Sequence, residues 1–201
     1  MSTVYKINAA ADEFTLAVEQ FHQMVTALRS SELLGLEHGE VEGWLHSEGM
    51  ELLRRLLQGH LDVRAKYEQR LESCTGADNV ERRQVRVGCQ RGLMTLFGEV
   101  QVCRLGYRAK DVNSLYPMDA GLNLPENFYS DGLRRQVCEA ASGNSFDDTV
   151  ADVAKVTGGM VPKRQAIQLV KDASQDFDEF YKQREAVAPD DVDETNPLVL
   201  S

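Results

Sequence analysis

Between Ala9 and Arg29 the apolar residues Phe14, Val18, Phe21, Val25 and Leu28 recur at spacings of 4, 3, 4 and 3. That period predicts one stripe of an amphipathic helix. Ser30, Ser31 and Gly35 interrupt it. A longer helix is predicted from about Glu40 to Leu71, with Val41, Leu45, Leu52, Leu56, Val63, Tyr67 and Leu71 on one face. Gly43, Gly49 and Gly59 weaken it, each by up to ~1 kcal/mol relative to Ala. Two such helices in sequence suggest a helical hairpin or a dimerising pair. Trp44 reads as core or interface rather than as a base-stacking residue.

At Asp78-Asn79 the period changes. Gln84-Val85-Arg86-Val87 alternates, and Leu93–Phe97, Gly98-Glu99 and Val100–Tyr107 read as a hairpin with Gly98 opening a type II′ turn. Both hairpin faces carry apolar side chains, so packing on part of each is expected. Tyr116-Pro117 and Leu124-Pro125 mark a loop.

Three shorter helices follow. The first runs from Ser130 to about Ala141 with Leu133, Val137 and Ala140 inward. The second starts at Ser145, whose Ser-Phe-Asp-Asp run fits a capping box with Asp in place of Glu. Its stripe is Phe146, Val150 and Val153, and Gly158-Gly159 ends it. The third opens with Pro162, where a missing N–H costs nothing. Its stripe is Ala166, Val170, Ala173, Phe177 and Phe180.

The predicted fold is therefore mainly α with a small β-hairpin or three-stranded insert, an α+β class, ending in a three-helix helix-turn-helix-like module. Four segments emerge: long helices at 1–77, a basic hairpin at 78–115, the module at 116–185, and an acidic linker at 186–201 that ends in Leu198-Val-Leu-Ser201, the beginning of a strand without a sheet.

Charge changes the picture more than composition does. The net charge is −10 over 201 residues, which taken globally argues against a nucleic-acid ligand. The acids, however, gather before Met50 and after Asp172. Arg82 to Lys110 holds Arg82, Arg83, Arg86, Arg91, Arg104, Arg108 and Lys110 against Glu99 alone. Screening makes phosphate attraction local, so one basic block suffices. Cys74, Cys89, Cys103 and Cys138 form no C-x-x-C pair, and no two histidines share zinc-ligand spacing. Reduced, partly buried thiols follow, with no metal. No apolar run reaches the ~20 residues of a membrane span, and the first eleven residues do not resemble a secretory signal. A cytoplasmic protein, nucleoid-associated when DNA-bound, is the expectation.

Two sets of residues have the chemistry of DNA contact. On the third short helix the face opposite the apolar stripe holds Arg164, Gln168, Lys171 and Gln175, flanked by Lys163 and Gln165. Arg and Gln read guanine and adenine edges in the major groove. The alternative is an ordinary solvated face. On the hairpin, Arg83, Arg86, Arg91, Arg104 and Arg108 suit phosphates along a groove. The alternative is a strand pair neutralised by the acidic helices. No convergent carboxylates, nucleophile–base arrangement or phosphate-cradling glycine loop is present, so no active site is expected.

Several segments, in order, resemble the N-terminal half of bacterial insertion-sequence transposases of the ISKra type. They are Gly35-Leu-Glu-His-Gly-Glu-Val-Glu-Gly-Trp-Leu45, Leu96-Phe-Gly-Glu-Val100 with Arg104-Leu-Gly-Tyr-Arg108, Leu122-Asn-Leu-Pro125, Thr157-Gly-Gly-Met-Val-Pro-Lys-Arg-Gln165 and Asp176-Phe-Asp-Glu-Phe-Tyr181. The resemblance implies a DNA-binding region that recognises double-stranded transposon ends. It also implies a following ribonuclease-H-like domain with an Asp-Asp-Glu site for Mg²⁺, of which Leu198–Ser201 resembles the first strand. No position here matches a catalytic residue of that domain. A non-catalytic, truncated fragment that self-associates, or forms mixed oligomers with full-length transposase and inhibits it, is what the resemblance leads one to expect; a non-functional remnant is the other reading.

Overall fold

The computed structural model describes residues 12–186. The strand expected at Leu198–Ser201 and the linker after Ala186 lie outside the described residues. The chain runs α1 (Thr15–Ala27), α2 (Ser31–Leu34), α3 (His38–Lys66), β1 (Cys74–Thr75), β2 (Glu81–Arg82), β3 (Gln84–Thr95), β4 (Gly98–Arg108), α4 (Pro117–Gly121), α5 (Asp131–Ala141), α6 (Phe146–Val156) and α7 (Lys163–Ala186). Helices combine with two separate two-stranded antiparallel sheets, β1–β2 and β3–β4. The α+β class holds, and the insert is two sheets rather than one of three strands.

Helix α3 starts where its cap dictates. The Glu40 carboxylate accepts from the Glu37 N–H at 2.9 Å, satisfying a donor that the first turn leaves free. It ends at Lys66, one turn before the predicted end. Helix α1 packs against it, and here the expected stripe is out of phase. The buried positions are Ala17, Gln20 and Met24, while Phe21 stays 52% exposed. Polar Gln20 lies inward because Glu48 of α3 receives its side-chain N–H. Gly59 lets the helices touch: a Cβ there would sit 2.5 Å from the Glu13 carbonyl oxygen.

The hairpin is one continuous pair, Gln84 against Arg108 through Thr95 against Gly98. Its register slips between Arg86 and Cys89, where Gly88 takes φ +68°. Leu96 and Phe97 form the turn, one pair earlier than expected. Gly98 has the positive φ of +117°, but it opens β4 instead of leading the turn. Thr95 explains this: its hydroxyl donates to the Gly98 carbonyl at 2.7 Å and accepts the Phe97 N–H at 3.2 Å.

Alternate side chains of a strand point to opposite faces, and the hairpin uses both. Leu93, Val100 and Val102 join Leu61 of α3 and Met118 of α4 in one core. Met94 and Leu96 pack on the other, formed by Tyr129, Leu133 and Val137 with Val153 of α6, Val161, and Ala166 and Leu169 of α7. Helix α4 occupies residues read from sequence as loop; Tyr116-Pro117 begins it, with Pro117 at its first position.

Candidate nucleic-acid interface

Helices α5, α6 and α7 close around Leu133, Val137, Val153, Ala166 and Leu169. Ser130 and Ser145 cap α5 and α6, each accepting a backbone N–H three residues on. The sequence places both. Helix α7 begins at Lys163, with Pro162 just outside and its carbonyl accepting from Ala166 N at 3.0 Å. Leu169, 3% exposed, belongs to the buried stripe although the period named only Ala166, Val170 and Ala173. Phe177 and Phe180 carry no described side chain.

The α6–α7 connection is six residues, Thr157 to Pro162, and the hairpin tip holds it. Gly158 N donates to the Leu96 carbonyl at 2.8 Å. A Cβ at Gly158 would lie 2.5 Å from the Phe97 oxygen, and one at Gly159 2.6 Å from the Thr95 oxygen. These glycines thus serve close backbone approach rather than a tight interhelical turn. Thr157, buried, was not foreseen. Its hydroxyl donates to the Val153 carbonyl at 2.8 Å and accepts from Gly159 N at 3.1 Å. Met160, 75% exposed, stands beside the start of α7 and was also not singled out; a lone Met carries no sequence signal for this.

Lys163, Arg164, Gln165, Gln168 and Lys171 are all exposed. At 100° per residue, Arg164, Gln168 and Lys171 fall within one narrow sector, opposite Ala166 and Leu169. Lys163 reaches Asp147 of α6 at 2.7 Å, which ties the start of α7 to α6. Gln168 donates to Asp172 at 2.7 Å. Neither bond engages Arg164.

The hairpin arginines divide. Arg86 and Arg108 are exposed near the open end, where Arg86 faces Gly106 and Arg108 faces Gln84 in the register. Arg83 is exposed and pairs with Glu81 at 2.7 Å. Arg104 is buried and Arg91 only partly exposed, where exposed side chains were expected. Arg104 is 7% exposed, with Nε 2.8 Å from Asp119 Oδ1 and its guanidinium carbon 4.1 Å above the Tyr116 ring. The approach is an ion contact without hydrogen-bond geometry, which leaves both atoms without a hydrogen-bond partner. Arg91 donates to the Pro125 and Glu126 carbonyls at 2.7 and 3.1 Å. Both bind the 119–126 segment to the hairpin, a role that composition cannot distinguish from phosphate contact. Arg82, in the same basic block, is buried against Asp78 and the Asn113 carbonyl; Arg82 holds the Asp78 carboxyl down to about 2.

Exposed basic positions thus lie near both ends of the hairpin, Arg86 and Arg108 at one and α7 beside the other. The hairpin itself is on the order of 30 Å long at ~3.3 Å per strand residue. Among the described residues no group of His, Cys, Asp or Glu could hold a metal, and no helix is long and apolar enough to cross a membrane. The four cysteines are unpaired and half-buried. Comparison with family models, curated proteins and solved structures gives no significant match.

Proposed function

We propose that this chain binds double-stranded transposon-end DNA as the non-catalytic front part of an insertion-sequence transposase. The observation that carries the reading is the exposed sector of α7 formed by Arg164, Gln168 and Lys171, with Asp172 at its edge bonded to Gln168. It is fixed from behind by Ala166 and Leu169 in the three-helix core and from the side by the hairpin tip. Helix-turn-helix readers place the N-terminal residues of such a helix in the major groove. A hairpin ~30 Å long is comparable to one turn of B-DNA, a span that suits one duplex contacting both patches. Base readout by α7 and phosphate grip by the hairpin follow.

Two substitutions separate these contacts. Arg164→Ala weakens binding to the element's own end by about 1–3 kcal/mol and leaves binding to random duplex nearly unchanged. Arg86→Ala weakens both DNAs alike and lowers the salt slope by roughly one. Fluorescence anisotropy across a salt series reads both. Unchanged affinity of folded Arg164→Ala for both DNAs, the element's own end included, sinks the helix-turn-helix reading.

The proposed role includes no catalysis, in keeping with the lack, among the described residues, of a group of His, Cys, Asp or Glu that could hold a metal. Purified chain with Mg²⁺ or Mn²⁺ leaves transposon-end DNA uncut. Cleavage that disappears on mutating an Asp or Glu of this chain overturns that statement. A second reading, pairing with intact transposase as an inhibitor, is favoured by one observation: the leucines of α3 that the chain leaves uncovered.

A further inference from the structure

The apolar stripe that the sequence assigns to α3 is not the side the chain buries. Toward the hairpin, α3 presents Leu57 and Leu61 and Gln58, whose side chain brackets the Gln101 backbone at 2.8 and 3.0 Å. Toward α1 it presents Glu48, Arg55 and Gly59. At 100° per residue these contacts occupy two sides of the helix. The third side holds Leu45, Gly49, Leu52, Leu56 and Val63. Leu45 and Leu56 remain 38% and 41% exposed, and neighbouring Leu53 41%. A Cβ on Gly49 would meet nothing within 4 Å. Phe21 of α1 continues the surface, lining a recess of about 290 Å³ with Leu52 and Leu56.

We infer that this side of α3 is closed by α3 of a second copy, lying antiparallel across a two-fold axis near Leu52 and Leu53. The inference rests on the self-association in the reading above and fixes its face and direction. Spacings of 4, 3 and 4 through Leu45, Gly49, Leu52 and Leu56 are those of a coiled-coil seam. The open side at Gly49 leaves room for a leucine of the other helix. Charge sets the direction. The half from His38 to Glu51 carries Glu40, Glu42, Glu48 and Glu51 with no Lys or Arg, whereas Leu52 to Lys66 carries Arg54, Arg55, Arg64 and Lys66 against Asp62. Parallel pairing sets acid on acid and base on base. Antiparallel pairing about residue 53 sets Glu42 of each copy beside the partner's Arg64. Glu51 is engaged within its own chain by Arg54 and Arg55 at 2.7 Å, Lys66 by Glu13 at 2.7 Å and Glu42 by His38 at 3.2 Å, whereas Arg64 has no ion pair among the described residues, so the pair that acts between copies is Glu42 with Arg64. One patch meeting itself is the isologous contact that two-fold symmetry requires.

The test uses the full chain. Sedimentation equilibrium from ~1 to ~100 µM shows a dimer, and Leu56→Glu raises its dissociation constant at least ~100-fold. The far-UV spectrum stays unchanged, because the single chain leaves Leu56 41% exposed, while the unfolding midpoint loses its dependence on chain concentration. Leu53→Glu serves as the second variant should the first misfold. In a mixture of ¹⁴N and ¹⁵N chains, carbodiimide yields mixed-mass peptides joining Lys66 to Glu40 or Glu42. A monomer throughout the range overturns self-association itself, while DNA binding that persists in that monomer leaves the DNA reading standing. A dimer indifferent to both variants overturns the face. Mixed-mass links from Lys66 to Asp62 or Glu68 overturn the direction.

Discussion

Asp119→Ala lowers the unfolding free energy by about 3–5 kcal/mol, the usual cost of removing one partner from a buried ion pair. Arg104 is 7% exposed and its nearest acid is Asp119, at 2.8 Å. Its other contacts are long, to the Val102 and Cys89 carbonyls at 3.4 and 3.5 Å, and Tyr116 covers one face. Removing the carboxylate leaves a guanidinium that stays charged at any accessible pH, with Glu68, held by the Leu105 N–H, as the remaining acid near it. Asp119 also lies 3.9 Å from Arg91, so two cations lose their acid together. Urea unfolding shows the loss as a drop in midpoint at constant slope. The Asp119→Ala, Arg104→Met double variant recovers a large part of it, because an apolar replacement of similar length needs no charge partner. A single variant within 1 kcal/mol of the parent means that solvent reaches Arg104 freely.

Leu133→Ala costs about 2–5 kcal/mol, the range for emptying a leucine site in a core. Leu133 is fully buried between Val137, Val153 and Leu169. Its methyl groups lie against Gly159, where an added Cβ would come within 2.9 Å. Rigid backbone on that side cannot collapse into the hole, which favours the upper part of the range. For a chain of this size each kcal/mol moves the thermal midpoint by roughly 2–4 °C. Calorimetry showing a shift below ~2 °C would mean that the three-helix core repacks around the gap.

Local signals gave the C-terminal helices closely. Ser130, Ser145 and Pro162 each combine a cap or start residue with an apolar period, and their helices begin where the residues say. The front helices were legible as helices but not as faces. For α1 the period marks Phe14, Val18 and Phe21; Phe14 does pack against Gly59 of α3, yet the positions α1 buries are Ala17, Gln20 and Met24. The small residues and a hydrogen-bonded glutamine allow closer approach than a phenylalanine, and no hydropathy count rewards that. The basic block failed for a related reason. Arg83, Arg86 and Arg108 reach solvent, while Arg82, Arg91 and Arg104 hold loops through carbonyls and aspartates 4 to 35 residues away. Charge per window cannot separate a surface arginine from one buried beside a distant acid. The exposed sector of the candidate reading helix was legible, because Arg164, Gln168 and Lys171 follow from one period within a single element, while Leu169 of its buried side was not named by that period.

The junction of the hairpin tip with Gly158 and Gly159 bears on how such a helical reader can be inherited. Composition divides the chain near 115 and 116, but Leu96 supplies the acceptor for Gly158 N, and Met94 exchanges backbone bonds with Phe128 and Ser130 at 2.7 and 2.9 Å. A recombination event that carried residues 116–186 into another gene would bring along a helix connection shaped for a strand pair left behind. The proposed reader is therefore not a portable cassette. Its smallest transferable unit begins before β3, and a change in the proposed DNA specificity is expected by substitution on the outer face of α7 rather than by shuffling the module.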